Sequence, residues 1–244
     1  DYGYVTPSKD QIESGNCWAF ASLSTLETCY IKATGKTIDL SVNNMKNLMT
    51  LYSKNGWNKL PNTGAFDDMQ ISYLINWLGP VLDDDKYNTD NHISSELENV
   101  IQVNYIYGVP IRSGPLDNEQ LKKAVMRYGA VYTTVYVSDR NHNIYRNDTS
   151  SINHAVSIIG WDDNYSRENF KNKPAGDGAF IVKNSWGISK TTSEYYYVSY
   201  YDTTILTGID NMIECGGITF KFDNEKYDKQ YHYDYSGYNT WFCE

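Results

Sequence analysis

Three segments of this 244-residue chain set reactive side chains where their chemistry can be used. The first, Gln11-Ile12-Glu13-Ser14-Gly15-Asn16-Cys17-Trp18-Ala19-Phe20, puts a cysteine at the first turn of a predicted helix, with Asn16 as candidate N-cap. Unpaired amides and the helix dipole there favour negative charge and lower a thiol pKa, and the thiolate is the form of cysteine that attacks a carbonyl carbon. A buried cysteine packing as a small hydrophobe fits the same position, so Cys17 alone leaves both readings open.

The second segment supplies a base. The chain has four histidines, and His92, His142 and His232 stand in polar, loop-like or terminal surroundings. His154 alone opens an apolar strand, Ala155-Val156-Ser157-Ile158-Ile159-Gly160. A rigid strand end holds a base well against a nucleophile carried by another element, although a satisfied core histidine is the commoner fate of such a residue. The third segment, Lys183-Asn184-Ser185-Trp186-Gly187, follows the strand Phe180-Ile181-Val182. An amide oxygen accepts a hydrogen bond from an imidazole N–H and so fixes the ring, and a neighbouring Trp excludes water from that bond. Taken alone, Asn-Ser after a strand is simply a turn.

Together these motifs resemble the papain family of cysteine peptidases: Gln-x5-Cys-Trp-Ala-Phe, then Asn-His-Ala-Val, then Lys-Asn-Ser-Trp-Gly. The order Cys, His, Asn is the family's order. The histidine falls within the roughly 130–150 residues after the nucleophile usual for it, and the asparagine somewhat beyond. The resemblance covers about residues 1 to 210. It implies Cys17 as nucleophile, His154 as base, Asn184 as the orienting amide with Trp186 as its shield, Trp18 in support, and Gln11 as an oxyanion-hole donor. Without the resemblance, Gln11 reads as a solvated loop residue. The implied activity is endopeptidase hydrolysis of a polypeptide substrate through an acyl-enzyme, with no metal and no organic cofactor. The alternative is a catalytically silent module for adhesion or carbohydrate and protein binding, and the same triad also suits acyl transfer. The implied fold is α+β with two lobes, a helical left lobe and a β-barrel-like antiparallel right lobe, the cleft between them. Expected cleft residues are Gly64, Asn153, Thr133, Val135 and Tyr200.

Departures from the family pattern are specific. Ser14 stands where the family usually has a cysteine, and no cysteine follows Leu40-Ser41 until Cys215, so the usual left-lobe disulfide is not expected. Asn16 replaces a small residue, and Ile188-Ser189-Lys190 replaces a second tryptophan. The stretch 160–164, the Gly176-Asp177-Gly178 turn and the Tyr-rich ending resemble secreted bacterial or archaeal members, some of which continue into a lectin-like module. That resemblance implies a secreted or cell-surface location, an inhibitory propeptide as a possible partner, and a monomer.

The elements that must position these residues are legible from periodicity. Phe20, Leu23, Leu26 and Tyr30 line one face of a helix that starts near Asn16 and stops at Gly35. Ser41 caps a second helix carrying Met45, Leu48, Met49 and Tyr52, and a third spans Ala65 to Leu78. A fourth runs from Asp117, its cap, to Tyr128. Strands are expected at Ala130–Val137, His154–Trp161, Ala179–Asn184 and Tyr195–Tyr201, with one more at Tyr231, Tyr233 and Tyr235. This divides the chain into a peptidase domain at 1–226, with lobes at about 12–105 and 106–226 plus the N-terminal segment, and an extension at 227–244.

Composition narrows the partners. A net charge of −9 argues against nucleic acid, which selects basic faces. No run of 18 apolar residues exists to span a membrane. The first residue is Asp1 rather than Met, which reads as a processed fragment. Cys17, Cys29, Cys215 and Cys243 include no C-x-x-C pair, which argues against zinc, and leave room for at most one disulfide beside a reactive Cys17. Asp83, Asp84 and Asp85, and Asp162 with Asp163, match no EF-hand spacing and read as solvated loops.

Overall fold

The computed structural model describes residues 3–12, 14–53, 56–83, 97–139, 143–188, 193–209, 214–222 and 226–229. Its centre is helix α1, Cys17–Thr34. Apolar and small residues surround this helix on most sides, so it is buried rather than amphipathic. It ends at Gly35, whose left-handed φ of 71° lets its N–H reach the Ile31 carbonyl at 2.7 Å. Asn16 holds the N-cap position through its backbone only. Its carbonyl accepts from the amides of Ala19 and Phe20, and its side chain makes no capping hydrogen bond.

Helix α2, Val42–Met49, is capped as expected: Ser41 Oγ accepts the Asn44 N–H at 3.2 Å. Helix α3, Asp67–Ile75, is shorter than the expected Ala65–Leu78. Trp77 has a positive φ of 51°, which breaks the helical run before Leu78. Helix α4 spans Glu119–Tyr128, with Asn118 rather than Asp117 at the cap position. The Asp117 carboxylate instead accepts the backbone N–H and hydroxyl of Ser113, which holds it below the usual carboxylate range.

Six strands form one sheet: β1 Val103–Pro110, β2 Val131–Val135, β3 His154–Asp162, β4 Ala179–Lys183, β5 Tyr195–Ser199 and β6 Cys215–Phe222. Their order is β1-β6-β2-β3-β4-β5, antiparallel throughout. Among the described residues the sheet is open, with β1 and β5 at its ends, rather than closed into the expected barrel-like form. Strands β1 and β6 were not among the expected ones. Both are punctuated by residues that weaken a strand pattern, Gly108 and Pro110 in one and Gly216-Gly217 in the other. Gly217 is required where it stands, because a Cβ there would sit 2.8 Å from the Tyr132 carbonyl oxygen. The boundary expected near residue 105 falls inside β1.

Alternation along β2 and β3 sorts the core into two clusters. Tyr132 and Ala155 belong to the cluster of α1, α2 and α3, with Leu23, Leu26, Met45 and Tyr73. Val131, Val156 and Ile158 belong to the other, with Leu121 and Val125 of α4 and Phe180 of β4. Thr25 Oγ1 meets Ser157 Oγ at 2.8 Å, a polar tie between α1 and β3. Cys29 and Cys215 are free buried thiols. Tyr227 stacks on Trp77 and exchanges two hydrogen bonds with the side chain of Gln102. Of the expectations above, those for His92, His142, His232, Cys243, Asp84, Asp85, Ser189, Lys190, Tyr231, Tyr233 and Tyr235 lie outside the described residues.

Because α1 carries Cys17, its packing sets the site. Leu26 is fully buried in that packing. Leu26→Ala is expected to cost about 2–5 kcal/mol of stability, measured by urea unfolding.

Candidate active site

Cys17 is the first residue of α1, and its sulfur lies at the start of β3, within hydrogen-bonding reach of the Ala155 backbone next to His154. Burial pushes the thiol pKa up, and the nearby Asp67 carboxylate adds to that. Hydrogen bonds from the backbone of Ala155, Trp18 and Cys17 itself act the other way without reversing it. The backbone amides at the head of α1 act in the direction expected from the sequence, and burial opposes them at this partly exposed residue. Desolvation of the anion outweighs the amides, and a stable thiolate here requires a cationic neighbour.

His154 is buried at the first position of β3. Its Nε2 lies 2.9 Å from Asn184 Oδ1. The same oxygen accepts the Ser185 backbone N–H at 2.7 Å. A backbone N–H only donates, which identifies this amide atom as oxygen and makes Nε2 the protonated nitrogen of a neutral imidazole. Nδ1 is then the basic nitrogen. The Trp186 indole stacks on the imidazole with centroids 4.6 Å apart and 23° between planes. Trp186 is in turn braced edge-on by Tyr196.

Gln11 is buried rather than solvated. Its Oε1 accepts the Ser185 hydroxyl and its Nε2 donates to the Ser14 carbonyl, both at 2.5 Å. Nε2 carries two N–H bonds, so one donor remains beyond the Ser14 contact. The N-terminal segment is stitched along the same turn as Asn184. Ser8 Oγ donates to the Asn184 carbonyl at 2.6 Å, the Gln11 N–H to the Ser185 carbonyl at 2.7 Å, and the Gly187 N–H to the Lys9 carbonyl at 3.2 Å. Ser185 and Ser8 thus join Gln11 and Asn184 in one network. Ser185 stood within a recognised motif but carried no expected role, and Ser8 lay in a segment read only as extended.

The expected cleft residues divide. The loop at Thr63-Gly64 lies against Gly15, two residues before Cys17, where a Cβ on Gly15 would meet Gly64 N at 2.7 Å. Gly64 itself faces open space. Asn153 precedes His154 and exchanges two hydrogen bonds with the Val137 backbone. Thr133, Val135 and Tyr200 are core residues and offer no surface to line a pocket, contrary to expectation. The Thr133 hydroxyl is spent on the Gly216 carbonyl at 2.7 Å, and Val135 packs among apolar side chains. Tyr200 packs on Phe180 and donates to Asp163 at 2.8 Å. Trp18 is buried in the helical core and braces the helix start. Asp163 is occupied by Lys122 and Tyr200, and Asp83 lies 3.7 Å from Lys9.

Residues 1–216 match the family model described as papain family cysteine protease. Cathepsin K of Mus musculus is 30% identical over 197 residues, covering 77% of this chain and 54% of the relative. A structure of clostridial Cwp84 after propeptide cleavage is 31% identical with a TM-score of 0.74, covering 90% of this chain and 55% of that one. The cysteine protease and lectin-like domains of Cwp84, a surface layer associated protein of Clostridium difficile, align at 30% identity and a TM-score of 0.79, over 96% and 53% of the two chains. The chain thus spans about half the length of the relatives it matches.

With His154 replaced by Ala, Cys17 keeps only neutral amides as stabilisers. Its rate of alkylation by iodoacetamide is expected to keep climbing with pH past the ordinary thiol pKa of about 8.5. A plateau already reached at neutral pH would overturn the assignment of burial as the dominant influence.

Proposed function

This chain belongs to the papain family of cysteine proteases, and on that premise we propose that it is a cysteine endopeptidase in which Cys17 attacks, His154 moves protons, Asn184 orients His154 and Gln11 stabilises the oxyanion. The observation that carries this reading is the hydrogen bond from His154 Nε2 to Asn184 Oδ1 under the Trp186 ring. It leaves Nδ1 as the proton acceptor, on the residue that precedes the Ala155 backbone recorded against the Cys17 thiol. In this reading the imidazolium formed by taking the thiol proton supplies the cation that offsets the burial acting on the thiolate.

The steps follow from these positions. His154 Nδ1 takes the Cys17 proton, and the sulfur adds to the scissile carbonyl carbon. Negative charge moves to the carbonyl oxygen, where the Cys17 backbone N–H and the second N–H of Gln11 Nε2 stabilise it. Collapse breaks the carbon–nitrogen bond as His154 gives its proton to the leaving amine. His154 then deprotonates a water that attacks the thioester, the carbon–sulfur bond breaks, and the sulfur regains the proton. Asn184 and Trp186 keep the ring's tautomer and tilt constant throughout, so no reorganisation is needed between steps.

The substrate in this reading is a polypeptide, whose backbone runs beside Gly64, where a side chain is absent, and beside Asn153 at the other lip. In this reading residues 1–226 form the peptidase domain and 227–244 a Tyr-rich extension of it. A propeptide that covers the cleft, and a secreted or cell-surface location, are proposed from the descriptions of the clostridial relative.

Brief treatment with a peptidyl epoxide is expected to add one label per molecule, read by intact mass, and Cys17→Ala is expected to abolish it. Absence of labelling on folded, reduced protein would overturn the reading. Gln11→Ala is expected to lower kcat by about 10²–10³-fold, measured on a fluorogenic peptide, as for loss of one oxyanion donor.

A further inference from the structure

Three buried polar side chains join the elements that carry the proposed catalytic groups. Thr6 Oγ1 donates to Glu27 Oε2 at 2.6 Å and accepts from Lys183 Nζ at 2.7 Å. Glu27 lies on α1, the helix headed by Cys17, and is 1% exposed. Lys183 ends β4 and directly precedes Asn184. Thr6 belongs to the N-terminal segment that also holds Ser8 and Gln11. The other Glu27 oxygen accepts the Leu40 N–H at 2.9 Å and lies 3.3 Å from Lys9 Nζ. Lys9 also meets Asp39 at 2.5 Å.

We propose that Glu27, Thr6 and Lys183 are positioning residues: a buried clamp that sets α1 against the end of β4 and thereby sets Cys17 against the His154–Asn184 pair. Their side chains bond to one another rather than to the residues assigned to the reaction. Each is one rigid element away from one of them. Helix α1 transmits the placement of Glu27 to Cys17, the backbone transmits that of Lys183 to Asn184, and the segment from Thr6 to Gln11 carries the third branch. Glu27 and Lys183 are themselves 1% and 4% exposed, so solvent screens this pair little. Breaking one bond of a buried charged network leaves its partners desolvated and uncompensated, so the clamp is sensitive to the loss of a single hydroxyl.

The clamp is also sensitive to pH. Burial lowers Lys183 to about 8, opposed by Glu27 of α1. Lys9 of the N-terminal segment pushes it further down, while Glu194 before β5 and Asp39 before α2 push it up. The ammonium is therefore present at neutral pH and lost as pH rises through that value, which weakens the grip on Thr6 and Glu27.

The inference rests on the peptidase reading for its readout, and the experiment separates the two. Thr6→Val removes only the bridging hydroxyl, Thr6→Ser retains it, and Glu27→Gln removes the charge at constant volume. In folded Thr6→Val and Glu27→Gln, kcat is expected to fall roughly 10–100-fold with KM within about threefold, as misplacement of about 1 Å does elsewhere. The pH at which Cys17 alkylation becomes fast is expected to rise with it, whereas Thr6→Ser stays near wild type. A purely structural role would lower the melting temperature and leave both readouts unmoved; folded variants with wild-type kcat and alkylation profile overturn the clamp. Should neither variant fold, kcat between pH 7 and 10 is compared for wild type and Lys183→Arg, whose cation persists over that range. An alkaline fall that Lys183→Arg moves to higher pH supports the clamp, and a fall that the substitution leaves in place belongs to the His154 imidazolium and overturns it. Wild-type protein that is neither labelled at Cys17 nor able to cleave peptides would sink the peptidase reading and the clamp with it.

Discussion

The desolvation of the Cys17 sulfur is the constraint around which the site is built. A thiol at the head of a solvated helix ionises with modest help from the helix amides. Here the sulfur lies between α1 and β3, and burial overrides the backbone N–H groups that point at it. An anion in that position needs a cation formed in place, and a cation formed in place needs a base of fixed orientation. The sheet register provides it. Ser157 pairs with Lys183, so His154 and Asn184 both fall beyond the paired stretch at the same end of β3 and β4, where their side chains meet at 2.9 Å. The rest of the turn, from the Ser185 amide to the Trp186 ring, serves to keep that oxygen and that ring from moving.

Much of this was legible in the sequence because it is local. Cys17, His154, Asn184 and Trp186 sit in short motifs, and α1 and α2 announce themselves through apolar spacing and through Ser41 and Gly35. What was not legible depends on facing and on depth. Thr133 and Val135 lie on the face of β2 turned to the α4-side core, while their neighbours Tyr132 and Thr134 turn the other way. A choice between adjacent residues on a strand is a choice between faces, and only the register makes it. The weight of burial against the helix amides at Cys17 was not legible because burial cannot be read from the neighbouring residues. Strands β1 and β6 were missed because their glycines and proline meet needs of packing that appear only when the strands are paired. Closure into a barrel failed as an expectation because nothing in local pattern distinguishes a curved open sheet from a closed one.

The region before the nucleophile lacks the disulfide common in the family, with Ser14 in the cysteine's place. Close backbone packing holds the loops together instead. The Gly15 N–H donates to the Asn62 carbonyl at 3.0 Å, and Gly15 fits against Thr63 and Gly64 only because it has no side chain. Noncovalent contact of this kind is independent of redox conditions. It also places Gly64, which faces open space, against Gly15 two residues before Cys17.

The attachment of residues 6–11 to the turn at 184–187 has a consequence for how this protein can be cut. Both hydrophobic clusters are built from residues after Cys17, so a chain shortened at its front keeps the material from which it folds. It loses Ser8 from Asn184, Gln11 from Ser185 and the Lys9 carbonyl from Gly187. Trimming beyond Thr6 would also remove the hydroxyl between Glu27 and Lys183, so the front of the chain, though outside both hydrophobic clusters, is tied to the turn at 184–187 and to the middle of α1 alike.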